Sequence, residues 1–110
     1  MLDKPEKTRE LIATLKAAIP FDVALMPELV RDLARKKDPV ILRSIETVSD
    51  ISYTGDAGGI MCHIRAKDTD SLLLTSLTHV RVSRTLPFAA AVFDYQKHRV
   101  KKLRKRSAGR

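Results

Sequence analysis

The apolar residues change their period twice along the chain, near Asp38-Pro39 and again near Pro87, and those changes constrain the fold more than any other feature. Before Asp38-Pro39 they recur at spacings of three and four, as on one face of a helix; from Val40 onward they fall in short strand-like runs. Leu11, Ile12, Leu15, Ala18 and Ile19 define a first helix. Asp3 followed by Glu6 has the spacing of a capping box with Asp in place of Ser or Thr, and Pro5 suits a first helical turn. Pro20 ends the helix, because proline has no N–H to donate and clashes with the preceding turn. A second helix is expected from Pro27 to about Lys37, with Leu29, Val30 and Leu33 as its apolar face and Asp38-Pro39 as its stop.

The strand-like half begins with Ile45–Thr54, rich in β-branched residues, where Val48, Ile51 and Tyr53 are the expected inward positions. Three of the four glycines then fall between Gly55 and Gly59. Ile60–Ala66 alternates Ile60, Cys62 and Ile64 against Met61, His63 and Arg65, and Lys67-Asp68-Thr69-Asp70 reads as a polar turn. Leu72–Val82 reads as one longer strand with apolar residues in both alternation sets, Leu73 and Leu77 against Leu72, Leu74, Val80 and Val82. Both faces then need covering, by helices on two sides or by a second subunit, so a homodimer is among the expected assemblies. Pro87 opens a last helix with an apolar stripe of Ala89, Val92, Phe93, Gln96, Val100 and Leu103. The expected class is α+β: two N-terminal helices, a three-stranded antiparallel meander and a basic amphipathic C-terminal helix. A length of 110 residues gives one globular domain, 1–103, followed by a flexible basic tail over 104–110.

Charge is segregated as sharply as period. Lys97, Arg99, Lys101, Lys102, Arg104, Lys105, Arg106 and Arg110 are cationic with no acid among them, while residues 1–96 carry 13 basic and 13 acidic side chains. The whole formal charge of +8 therefore sits at one end of the chain. Lys and Arg interleaved along a helix neutralise phosphates and release counterions, so nucleic acid, RNA in particular, is the expected partner, or else another polyanion. Arg81 and Arg84 extend the candidate set, and His98 adds a polar contact. Tyr53 and Tyr95 are the only tyrosines in a chain without Trp, so stacking on bases is limited and backbone contacts should dominate. No helix-turn-helix recognition helix, zinc finger or KH-type Gly-x-x-Gly loop is identifiable.

Other chemistry is weaker. A phosphate-cradling loop needs a Lys and a Ser or Thr opening a helix, whereas Gly55–Gly59 contains Asp56 and leads into a strand; a hairpin turn fits it better. Cys62 and His63 are adjacent strand residues that point to opposite faces, and His79 lies too far along the chain to share a metal with His63, so no metal is expected. Asp68 and Asp70 suit a turn; Asp50 and Asp56 bracket the first turn without any required partner. No cofactor motif appears, and the expectation is a non-enzymatic binding or accessory protein. Two rivals remain: a module that self-associates through its sheet and docks an acidic partner or membrane surface, and a small enzyme using the Gly55–Gly59 loop with His63 or His79. A lone cysteine fits a reducing compartment, the N-terminus lacks a signal-peptide apolar core, and no run nears the roughly 20 apolar residues of a transmembrane segment. Cytoplasm is the expected location.

Overall fold

Helix α1 (Pro5–Ala18) presents Thr8, Leu11 and Leu15 to the interior at spacings of three and four, and Pro5 opens it where a missing N–H costs nothing. Lys4, not Asp3, is its N-cap, and no side chain caps it; the Asp3 carboxylate is used elsewhere. These elements belong to a computed structural model that describes residues 3–34, 44–66 and 72–108. After Pro20 the chain enters strand β1 (Phe21–Leu25), to which the apolar pattern gave no separate expectation. It is strictly alternating, with Phe21, Val23 and Leu25 buried. Helix α2 (Pro27–Ala34) follows, with Leu29 and Val30 half-buried. The expected end of this helix at Lys37, the Asp38-Pro39 stop and the polar turn at 67–70 lie outside the described residues.

Strand β2 (Ile45–Tyr53) buries Val48 and Ile51, an odd spacing that a regular strand cannot put on one face. A register shift between Val48 and Asp50 resolves it: the bulge leaves Ser49 outside the ladder, and its hydroxyl donates to the His63 carbonyl at 3.1 Å. Thr54–Gly59 then turns the chain through a 3-10 turn at Gly55–Ala57, with Gly55 and Gly59 at φ of 68° and 69°. Strand β3 (Ile60–Arg65) buries Ile60, Cys62 and Ile64 and turns Met61, His63 and Arg65 outward, the alternation its sequence shows. Burial pushes the Cys62 thiol up to about 12, so it is a small core hydrophobe there.

The expected long strand Leu72–Val82 is two strands. Strand β4 (Leu72–Ser76) ends where the Ser76 hydroxyl accepts from the Thr78 N–H, opening a 3-10 turn at Leu77–His79, and strand β5 (Val80–Val82) continues elsewhere in the sheet. The three-stranded meander is thereby corrected to a five-stranded antiparallel sheet in the order β4-β3-β2-β1-β5. β4 and β5 are consecutive in the chain yet occupy opposite edges. Four strand spacings would separate flat edges by about 19 Å, whereas a 3-10 connection of this length climbs only about 8 Å. The sheet must curl until its edges approach one another. The two-sided apolar pattern has the same origin, because the break changes which residues face inward: Leu77, Val80 and Val82 are buried, while Leu72 and Leu74 are exposed.

Helix α3 (Ala89–Ala108) packs on the 3-10 turn and on α1. At its start the Phe88 ring meets Phe21 edge-on, with centroids 5.1 Å apart. Further along, the Gln96 amide donates to the carbonyls of Leu77 and Val80, both at 2.7 Å, and so fixes the turn that closes the curl. Mixed α and β structure in an antiparallel sheet agrees with the α+β class. Among the described residues no helix is long and apolar enough to cross a membrane.

Candidate nucleic-acid interface

The rotation of α3 about its own axis decides which cations face solvent. The apolar stripe predicts that Ala89, Val92, Phe93, Gln96, Val100 and Leu103 turn inward, and of these Ala89 and Val92 are buried and Gln96 is half-buried. Tyr95 and Arg99, outside the stripe, are buried beside them, at 9% and 2% exposure. Phe93, Val100 and Leu103 stay exposed at 36%, 40% and 40%. Over residues 89–99, where the helix is packed, the buried set is centred roughly 50° from the apolar stripe; Val100 and Leu103 lie in a stretch where every residue is exposed and do not report on rotation.

A buried polar cluster accounts for that offset. Arg99 Nη1 donates to both carboxylate oxygens of Asp3 at 3.1 Å, and Nη2 donates to the Asp56 carbonyl at 2.7 Å. The hydroxyls of Tyr53 and Tyr95 donate to Asp3 Oδ2 at 2.9 and 3.1 Å, and the Ile60 N–H donates to the Tyr95 oxygen at 2.9 Å. Asp3 is 3% exposed. Among the described residues no buried side-chain nitrogen or oxygen lacks a hydrogen-bond partner. Burial, followed by the hydrogen bond to Asp3, pushes the Tyr53 hydroxyl up to about 12. Burial also raises Tyr95 to about 12, opposed by the Ile60 N–H and supported by the Asp3 charge.

Arg99 therefore departs from the solvent-facing set that the sequence suggests: its guanidinium is spent inside the protein. Lys97, Lys101, Lys102, Arg104 and Lys105 are exposed along α3, as are Arg81 on β5 and Arg84 after it. Arg106 lies on the same helix, with its side chain outside the described set, and Arg110 lies beyond the described residues. Every residue from Val100 to Lys105 is exposed, so the second half of the helix is held by its continuity with the first.

Two lysines absent from the sequence candidates join this surface. A groove of about 620 Å³ runs between α1 and α3, with Lys4, Lys7 and Glu10 on one wall and Asp94, Lys97 and Lys101 on the other. Leu11 and Ala91 add apolar lining. No periodicity signals it, because each wall is an ordinary helix surface and only the packing of residues 4–14 against 91–101 creates the cleft.

The remaining candidates are dispersed. His63 sits on the outward face of β3, opposite Asp50 and Leu74 in the ladder, with its Nε2 2.8 Å from the Ser52 hydroxyl. Cys62 faces the core, and His79 is exposed on the 3-10 turn. Among the described residues no group of three His, Cys, Asp or Glu side chains could hold a metal ion. The Gly55–Gly59 loop closes the β2–β3 hairpin, with Gly59 N–H donating to the Gly55 carbonyl at 2.8 Å. Compared with protein-family models, with curated proteins and with solved structures, the chain finds no match.

Two measurements probe the cluster. A Cβ on Gly59 would run into the Tyr95 hydroxyl and lie 2.8 Å from Arg99 Nη1, whereas one on Gly55, at nearly the same φ, meets nothing within 4 Å. Gly55→Ala should cost only the left-handed penalty, about 1–2 kcal/mol, and Gly59→Ala on the order of 3 kcal/mol or more, because it also displaces the ion pair. Urea unfolding compares them, and equal midpoints would contradict the cluster. The second concerns pH. Folding raises both phenol pKa values above the ordinary 10, so their contribution to stability is complete below pH 10 and is lost as pH climbs through about 12. With two tyrosines in the chain, tyrosinate absorbance should appear late in the native protein, near pH 12, and earlier in Asp3→Asn. Ordinary titration near pH 10 in the folded wild type would refute the assignment.

Proposed function

We propose that this protein is a small nucleic-acid-binding accessory protein, contacting RNA or ribonucleoprotein through phosphate contacts made by helix α3. The observation that carries the reading is the set of five exposed cations, Lys97, Lys101, Lys102, Arg104 and Lys105, on a helix anchored at its base. Cations on one helix keep a fixed mutual spacing, so a phosphate backbone meets them without each side chain being ordered separately. The absence of any acid from residues 97–110 means that nothing in the same stretch repels the polyanion. Arg81 and Arg84 add cations at and just beyond the edge strand β5. Contacts of this kind favour nucleic acid without reading its sequence.

Salt dependence is the test. Five phosphate contacts to a single strand give a slope of about −3.5 in log affinity against log salt, or roughly a 100-fold loss between 50 and 200 mM. Lys102→Ala, Arg104→Ala and Lys105→Ala together should reduce that slope by about 2 while leaving the folded circular dichroism spectrum unchanged. Fluorescence anisotropy with a labelled RNA oligomer reads both. Binding that ignores salt, or a triple variant with the wild-type slope, would overturn the proposal.

Exposed apolar side chains favour a second reading, a protein-interaction module. Leu72 and Leu74 are 58% and 54% exposed on edge strand β4, which carries no charged residue, and Phe93, Val100 and Leu103 line an exposed seam of α3. An uncharged edge strand with outward leucines is open to pairing with a second copy, while the cationic seam suits an acidic partner or an anionic membrane surface. Self-association through β4 predicts a concentration-dependent mass in sedimentation that Leu74→Lys abolishes. A constant monomer mass up to millimolar protein would remove that arm.

A further inference from the structure

Resting on the nucleic-acid reading above, we infer that the groove between α1 and α3 seats an unpaired nucleotide, so that the protein selects single-stranded over duplex nucleic acid. Lys4 and Lys7 line one wall and Lys97 and Lys101 the other, all exposed. Lys97 and Lys101 sit one turn apart on α3 and so project from the same side; Lys4 is the N-cap of α1 and Lys7 lies in its first turn. A cleft of about 620 Å³ between two packed helices admits one strand. A duplex is wider than a single strand, so on this inference it would meet only the rim.

The carboxylates make the choice sharper. Glu10 and Asp94 line the same groove, one on each helix. Placed among four lysines, they would repel a phosphate backbone pressed into the groove. They accept hydrogen bonds, however, and the amino group of an unpaired base is a donor that a carboxylate recognises, as in acceptance from the cytosine N4 amino group. In an A-form RNA duplex that amino group faces a deep, narrow major groove closed to side chains, whereas an unpaired base offers it openly. The arrangement that satisfies both signs of charge puts the phosphates on the lysines and the amino edge of the base on Glu10 or Asp94. A base without an exocyclic amino group, such as uracil, satisfies the carboxylates less well than cytosine does.

The test compares labelled twelve-residue oligomers of cytidine and of uridine with an RNA duplex of the same length, all at one salt concentration. The groove set, Lys4→Ala, Lys7→Ala, Lys97→Ala and Lys101→Ala, is measured beside the free-end set at Lys102, Arg104 and Lys105. Wild type should bind the cytidine oligomer more tightly than the uridine oligomer, and both more tightly than the duplex. Groove substitutions should weaken single strands at least tenfold more than they weaken the duplex, and free-end substitutions should weaken all three alike. Glu10→Gln with Asp94→Asn removes two negative charges, so non-specific attraction predicts tighter binding to everything. The groove inference predicts, in addition, that the preference for cytidine disappears. If single strands and duplex bind equally, or the groove set affects them equally, the inference fails while the phosphate-binding reading stands. If no oligomer binds at any salt concentration, the underlying reading fails as well.

Discussion

The ion pair between Asp3 and Arg99 joins residues 96 positions apart, and the placement of the C-terminal helix depends on it. Taking two charges out of water costs several kcal/mol per ion, so such a pair survives only where further hydrogen bonds satisfy what remains of each group. Here two phenols complete the carboxylate and a backbone carbonyl takes the second guanidinium nitrogen. Removing either partner would leave an uncompensated buried charge, a loss of about 3–5 kcal/mol against a total stability typically of about 5–15 kcal/mol. The pair also selects one rotation of α3. Turned to bury Phe93 instead, the helix would pull Tyr95 and Arg99 away from Asp3 and strand its carboxylate in the interior.

Much of the fold was legible because it follows from local period. Leu11 and Leu15 mark α1, the alternation from Ile60 to Ile64 marks β3, and the glycines at 55 and 59 mark the turn before it. What stayed hidden depended on contacts distant in sequence or on single-residue irregularities. Strand β1 alternates Phe21, Val23 and Leu25 as β3 does, but its five residues are pressed between Pro20 and the next helix start, where the helical signals on both sides mask it. The break after Ser76 comes from a local side-chain hydrogen bond inside a stretch whose strand-like composition conceals it. The curl of the sheet follows from strand order, which no window of the sequence contains.

The candidate interface divides along the same line. That the exposed charge would be positive and would lie after residue 96 was evident from composition alone. That Arg99 would not belong to it was not evident, because a cation within a run of cations resembles its neighbours until its partner is known. The trace it leaves is positional: Arg99 continues the stripe set by Val92 and Tyr95 at spacings of three and four, so a core-facing arginine is the reading consistent with both. Lys4 and Lys7 were inconspicuous for the opposite reason. They lie in a segment where acids and bases balance, and become part of a basic groove only through the packing of α1 on α3.

Arg99 also stands at a boundary within α3. Before it the helix buries side chains against the sheet; from Val100 to Lys105 every residue is exposed. One side chain thus ends the packed half and fixes the direction of the displayed half. Cutting the chain after Gln96 would remove the cations and the anchor together, so loss of binding in such a fragment would not separate charge from fold. Ionic strength does separate them. Exposed charges are screened over about 8 Å at physiological salt, whereas a buried pair is screened much less. Raising salt therefore weakens what the helix presents while leaving intact the ion pair that presents it.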